Sequence, residues 1–165
     1  MVRVAILTVS DRGAAGERED LGGPLIAEMA VGAGHVVVAR AVVPDERGRI
    51  AEVLRGWADG AVADVVVSTG GTGLTPRDVT PEATLDVAER EVPGIAVALV
   101  VNGLRHTPFA ALTRGRAVTR GRTLIVNLPG NPRAVREGME VLLPLLDHVG
   151  ELLAGPVDHG AGSGG

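Results

Sequence analysis

Three short β-branched runs, spaced by stretches long enough for a helix, limit this chain more than any other feature. They are VRVAILTV (Val2 to Val9), HVVVARAVV (His35 to Val43) and VADVVVS (Val62 to Ser68). Runs this short and this β-branched read as strands, the first and third of them buried. The segment after Pro44-Asp45 places Ile50, Val53, Leu54 and Trp57 at i, i+3, i+4 and i+7, the apolar stripe of a helix. Strands alternating with helices predict an α/β domain with a largely parallel sheet. A length of 165 residues suits one domain, assigned to 1–154. The glycine-rich stretch 155–165 reads as a flexible tail.

The remaining elements follow from local signals. A helix is expected around Pro24 to Ala30, stopped by Gly32 and Gly34. Asp45 stands where an N-cap would. Thr80-Pro81 reads as N-cap and first helical residue. Pro93-Gly94 separates that helix from an apolar one over Ile95 to Leu104. Between Ala110 and Gly130 two β-rich runs flank Thr119-Arg120-Gly121, which predicts a hairpin. Asn131-Pro132 starts a last helix whose face carries Val135, Met139, Leu142, Leu146, Val149 and Leu153. Pro144 is expected to kink or interrupt it.

Composition excludes several function classes. With no cysteine there are no disulfides, thiolate metal sites or cysteine nucleophiles. A net charge of −4 and only Trp57 and Phe109 as aromatics argue against a nucleic-acid partner. No apolar run reaches the ~20 residues that span a membrane, and the N-terminus lacks a signal-peptide pattern, so a cytoplasmic location is expected. The four histidines show no metal-ligand spacing, and no G-x-S-x-G elbow is present.

In parallel α/β sheets, ligands bind beyond the carboxyl ends of strands. Four such exits stand out: Ser10-Asp11, Pro44-Asp45, Gly70 to Asp78, and Leu128-Pro129-Gly130-Asn131. In the third, Gly70-Gly71-Thr72-Gly73 exposes bare backbone whose N–H groups can hold an anion. It is neither a Walker A loop nor a dinucleotide fingerprint, since no Gly-Lys-Ser/Thr follows and Pro76 stands where a small residue is needed. Each candidate also has a plain structural reading. The glycines make a tight turn, Asp45 and Asn131 cap helices, Asp11 closes an Asx-turn, Thr113-Arg114 sit on a strand edge, and Asp78 is a solvated loop residue.

Taken together, TVSDR (Thr8 to Arg12), VPDE (Val43 to Glu46), STGGTGLTPRDVTPEAT (Ser68 to Thr84), VPG (Val92 to Gly94), TPFAALTRG (Thr107 to Gly115) and RGRTLIVNLPGNP (Arg120 to Pro132) resemble the molybdopterin adenylyltransferase family, the MogA/MoaB group that includes gephyrin G domains. The resemblance implies a three-layer α/β/α molybdopterin-binding fold, usually trimeric. It implies Mg²⁺-dependent joining of AMP from ATP to the molybdopterin phosphate, with release of pyrophosphate, and transfer of the product to a molybdenum-insertion enzyme. By the same resemblance Asp45 and Asp78 are the catalytic aspartates, Asp45 holding metal and nucleotide and Asp78 orienting the phosphates. Ser10, Asp11, Thr69, Gly70, Gly71, Thr72, Gly73, Thr113, Arg114, Pro129, Gly130 and Asn131 complete the nucleotide and pterin pockets. One departure is that Val97 and Val100 stand where many bacterial members carry Glu and Arg. The alternatives are a MoaB-like protein that binds the pterin without adenylating it, a molybdate-insertion activity, for which 165 residues leave no space, and a generic dinucleotide dehydrogenase.

Overall fold

A computed structural model describes residues 1–155. The strands are β1 (Arg3–Val9), β2 (Val36–Val43), β3 (Val65–Thr69), β4 (Arg90–Glu91), β5 (Ala117–Arg120) and β6 (Thr123–Leu128). The helices are α1 (Asp11–Ala14), α2 (Gly22–Gly32), α3 (Arg47–Asp59), α4 (Thr80–Val87), α5 (Pro93–Leu104) and α6 (Pro132–Ala154), with a 3-10 turn at Pro108–Leu112. One six-stranded sheet has the order β2-β1-β3-β6-β5-β4. β2, β1, β3 and β6 run parallel, while β5 and β4 run antiparallel.

Side chains alternate across a strand, so each central strand feeds two cores. Val4, Ile6, Val65, Val67, Leu124 and Val126 face α2, α5 and α6, whose Ile26, Met139, Leu142 and Leu146 are buried with them. Ala5, Leu7, Val66 and Ile125 face α3 and α4, against Ile50, Leu54, Ala83 and Val87. The result is the expected three-layer α/β/α arrangement. β3 and β6 are buried along their whole length, whereas the edge strand β2 is only half covered. Among the described residues no helix is long and apolar enough to cross a membrane.

Several local expectations are corrected. Asp45 does not cap α3; Glu46 holds the N-cap position, without a side-chain bond. Thr80 is the first residue of α4 rather than its cap, which is Val79. Both side chains are thereby released for the site described below. The hairpin turn is Gly121-Arg122, with Arg120 opposite Thr123 and Gly121 at φ +55. Thr113 and Arg114 precede β5 instead of lying on a strand. α6 runs unbroken through Pro144. Pro144 and Glu140 are both exposed, so water can solvate the carbonyl that the missing N–H leaves unpaired. Short β4, α1 and the 3-10 turn carry too few residues to show a period. The tail expected over 155–165 lies, from residue 156 on, outside the described residues.

Strand order reverses about β1: the chain leaves it for β2 on one side and returns to β3 on the other. The crevice at such a switch point opens at the carboxyl ends of the strands. Here those ends are Val9, Thr69 and Leu128, followed by Ser10, Gly70 and Pro129.

Candidate functional site

The glycine loop leaves β3 in a conformation that side chains resist. Gly70 and Gly71 have φ of +99 and +68, the region where only glycine is unstrained. A Cβ on Gly70 would overlap the Val9 carbonyl oxygen, and one on Gly71 would overlap Thr80 Oγ1 and lie 3.2 Å from Asp45 Oδ1.

All four loop carbonyls are tied to the protein. Thr80 Oγ1 donates to Gly70 O at 2.9 Å. Thr80 N donates to Gly71 O at 3.1 Å, and Arg114 N to Thr72 O at 2.9 Å. Arg114 Nε donates to Gly73 O at 2.8 Å. Of the four amides, only that of Gly70 is used, donating to Leu128 O at 3.1 Å. Among the described residues, the N–H groups of Gly71, Thr72 and Gly73 meet no protein acceptor. Carbonyls drawn back with amides left free make a preformed anion site.

Arg114 is the clamp that enforces this. Its guanidinium also donates to Asp78 O at 2.7 Å and pairs with Glu82. Every arm is spent on the protein, so Arg114 shapes the loop rather than waiting for a ligand. The pairing holds the Glu82 carboxyl below its usual range. Glu82 Oε2 is buried, with no partner among the described residues. Thr113 Oγ1 lies 3.3 Å from Thr72 Oγ1 on the same wall.

Asp45 and Asp11 exchange bonds between the ends of β2 and β1. Asp11 N donates to Asp45 Oδ2 at 2.8 Å, and Asp45 N donates to Asp11 Oδ1 at 2.9 Å. Arg77, from the glycine loop, grips Asp11 bidentately at 2.8 and 3.0 Å. That fork is the main reason the Asp11 carboxyl sits below its ordinary value. Asp45 moves the other way: burial raises its carboxyl, and the negative charges of Asp11 and Asp78 add to this against the opposing Asp11 N–H. Asp78 Oδ2 accepts from Thr75 N at 3.0 Å and Thr75 Oγ1 at 2.7 Å, closing the loop on itself.

Two clefts flank the glycine loop. The first, of about 430 Å³, is lined by Ser10, Asp20, Asp45, Gly71 and Asp78, with Arg18 as its single cation among the described residues. The second, of about 440 Å³, is lined by Gly73, Phe109, Leu112, Thr113, Pro129 and Glu137. Asn131 borders both. Thr69, Gly70, Gly71 and Gly130 face the first cleft, and Thr72 and Pro129 the second. Asp11 and Arg114 line neither, but bond to Asp45 and Asp78, which line the first. Three expected binding side chains have structural partners. Ser10 Oγ caps α1 by accepting from Gly13 N, Asn131 caps α6 by accepting from Arg133 N, and Thr69 Oγ1 donates to Pro129 O.

Some participants were not singled out from the sequence. Arg77 and Glu82 gave no signal, since their partners are 66 and 32 residues away. Asp20 accepts from Thr8 Oγ1 and from Gly23 N, and its spacing of three to Gly23 is one that capping rules recognise. No group of three or more His, Cys, Asp or Glu placed to hold a metal occurs among the described residues. Magnesium needs only one or two carboxylates when a phosphate supplies further oxygens. Asp45, half-buried, with its carboxyl raised by that burial and by the charges of Asp11 and Asp78, suits a cation in that role.

Residues 5–148 match the family described as a probable molybdopterin binding domain. The chain belongs to that family. A Helicobacter pylori relative named molybdopterin adenylyltransferase is 36% identical over 156 residues, covering 93% of this chain and 89% of that protein. The Drosophila melanogaster molybdenum cofactor synthesis protein cinnamon is 37% identical over 94% of this chain, which spans only 26% of that longer protein. Among solved structures, the molybdopterin biosynthesis enzyme MoaB of Thermus thermophilus is 52% identical, with a TM-score of 0.88 over 94% of this chain and 98% of that one. In this family the expected α/β architecture is thus shared along nearly the whole chain.

Proposed function

We propose that this protein is a molybdopterin adenylyltransferase, joining AMP from Mg²⁺-ATP to the terminal phosphate of molybdopterin. The observation that carries the reading is the set of three unused amides, Gly71 to Gly73, between two clefts of different character. The relatives named for this activity support the choice of substrates. The acidic cleft takes the nucleotide, and the cleft walled by Phe109 and Leu112 takes the pterin. The two phosphates then meet at the loop.

A molybdopterin phosphate oxygen attacks the α-phosphorus of ATP. The new P–O bond forms as the bond from the α-phosphorus to the bridging oxygen breaks, and pyrophosphate leaves with that electron pair. Such a transfer needs alignment and charge stabilisation more than covalent help. The loop amides supply donors at the reacting phosphates. Asp78, fixed by Thr75, sets the position of the phosphates along the loop. Asp45 holds the cation side of the nucleotide. When bound, Mg²⁺ shields the triphosphate charge in a cleft that itself holds several carboxylates.

The reading includes a cytoplasmic homotrimer that passes its product to a molybdenum-insertion enzyme. The exposed apolar face of α5 (Val97, Val101, Leu104) supports self-association. Light scattering that returned only the 16.8 kDa monomer mass would count against it.

The deciding assay incubates the protein with molybdopterin, ATP and Mg²⁺ and separates adenylated pterin and pyrophosphate by chromatography. Wild type should form product. Asp78→Asn keeps an acceptor for both Thr75 bonds but removes the charge, and should lose activity about 100-fold or more. Equal rates would remove Asp78 from the mechanism. A folded wild type that binds the pterin and makes no product would favour the second reading, a MoaB-like binding protein, which the 52% identity to the Thermus MoaB keeps in view.

A further inference from the structure

One side chain in the second cleft is needed neither by the fold nor by phosphoryl chemistry. Glu137 of α6 is only 13% exposed. It lines both the 440 Å³ cleft and a smaller cavity of about 80 Å³ that shares its wall. Leu99, Val100, Leu128 and Pro129 make that smaller cavity largely apolar. The Glu137 carboxylate is poorly supplied with donors. Arg133 Nε reaches Oε1 at 3.3 Å from a largely exposed side chain, and His106 Nδ1 stands 3.7 Å away. Among the described residues nothing donates to Oε2. A largely sequestered carboxylate held by one long hydrogen bond is poorly satisfied, and a ligand bearing two parallel N–H groups would relieve it.

The rim supplies the matching surface. Phe109, the only phenylalanine of the chain, is 75% exposed on the 3-10 turn and lines the same cleft. An aromatic left in solvent beside a cleft suits stacking on a flat heterocycle. Thr72 and Gly73, two of the residues with free amides, border the cleft at its other side.

We propose that Glu137 selects the pterin by accepting both N–H groups of its 2-amino-4-oxopyrimidine edge, with Phe109 against the ring face. This rests on the molybdopterin reading above. The edge presents N3–H beside the 2-amino group, the donor pair that a carboxylate accepts bidentately, as it does from a guanidinium. Adenine offers a donor beside an acceptor and cannot make that pair, so the residue also keeps the nucleotide base out of this cleft.

Pterin and lumazine make the test specific, because lumazine carries a carbonyl in place of the 2-amino group, with the extra proton on N1, so the edge beside N3–H changes from donor to acceptor. Both are titrated by their own fluorescence into the full chain. Wild type should bind pterin about 10- to 100-fold more tightly, the effect of one charge-assisted bond and one carboxylate–carbonyl clash. Glu137→Gln presents one acceptor and one donor, which fits lumazine, so the preference should reverse while ATP affinity stays unchanged. Phe109→Ala should weaken both ligands alike. A merely structural glutamate would not reverse a preference. Wild type without a pterin preference, or Glu137→Gln with the wild-type preference, overturns the assignment. Adenylated product from wild type alongside either of those results would leave the transfer reading intact. A pterin preference that reverses, with no product formed, would uphold Glu137 and remove only the transfer.

Discussion

Gly70→Ala isolates what the glycine loop demands of the backbone. Two separate penalties act there. The φ of +99 is outside the regions open to alanine, which costs about 1–3 kcal/mol. The new Cβ would also overlap the Val9 carbonyl oxygen, a contact that no side-chain rotation relieves. The peptide must therefore withdraw from β1. Withdrawal breaks the bonds from Gly70 N to Leu128 O and from Thr80 Oγ1 to Gly70 O, each about 1 kcal/mol. The sum is about 3–5 kcal/mol. Gly16→Ala is the control, because Gly16 also has positive φ, at +73, but a Cβ there would meet nothing within 4 Å. It should cost only about 1–2 kcal/mol. Urea denaturation reads both. With an m-value of about 2 kcal/mol/M, Gly70→Ala should lower the midpoint by about 2 M and Gly16→Ala by less than about 1 M. Equal losses for the two variants would refute the close-approach argument and leave only the dihedral term.

Two further outcomes follow from the same geometry. Asp45→Asn keeps an oxygen for Asp11 N–H but removes a charge that burial penalises. A carboxyl raised above its unfolded value of 3.8 loses stability as pH rises through the folded value, so the variant should be more stable than wild type at pH 7. The advantage should vanish as pH falls to 3.8 and below; paired thermal melts check this, and a less stable variant at pH 7 would contradict it. Arg114→Lys replaces a planar fork with one ammonium that cannot span Gly73 O, Asp78 O and Glu82. It should lose about 2–3 kcal/mol in urea denaturation, and a change below about 0.5 kcal/mol would show that the clamp is not needed.

The sheet was readable because its signals are local and redundant. β1, β2 and β3 are β-branched runs, and α3 and α6 carry their apolar faces at helical spacing. Pairs of residues were harder. Asp45 and Thr80 occupy positions that capping rules assign to helices, yet each side chain is used across the molecule. Asp45 serves β1 through Asp11, and Thr80 serves the Gly70 carbonyl. Arg114 reads as an edge residue because it lies within the Ala110 to Gly130 stretch that predicts a hairpin. Its real partners lie 32 to 41 residues back in the chain.

By itself the sequence determined where strands end and which exits carry bare backbone or an aspartate. Strand propensity, glycine conformation and helix periodicity all act within a few residues. Only the tertiary structure decided that the loop carbonyls are bound while three amides stay free. It likewise decided that Asp11 is neutralised by Arg77 while Asp45 is left to the cleft, and that Glu137 faces an apolar cavity. Those outcomes depend on which strand ends the β2-β1-β3-β6 order brings side by side, and a one-dimensional pattern does not record the contacts that this order creates.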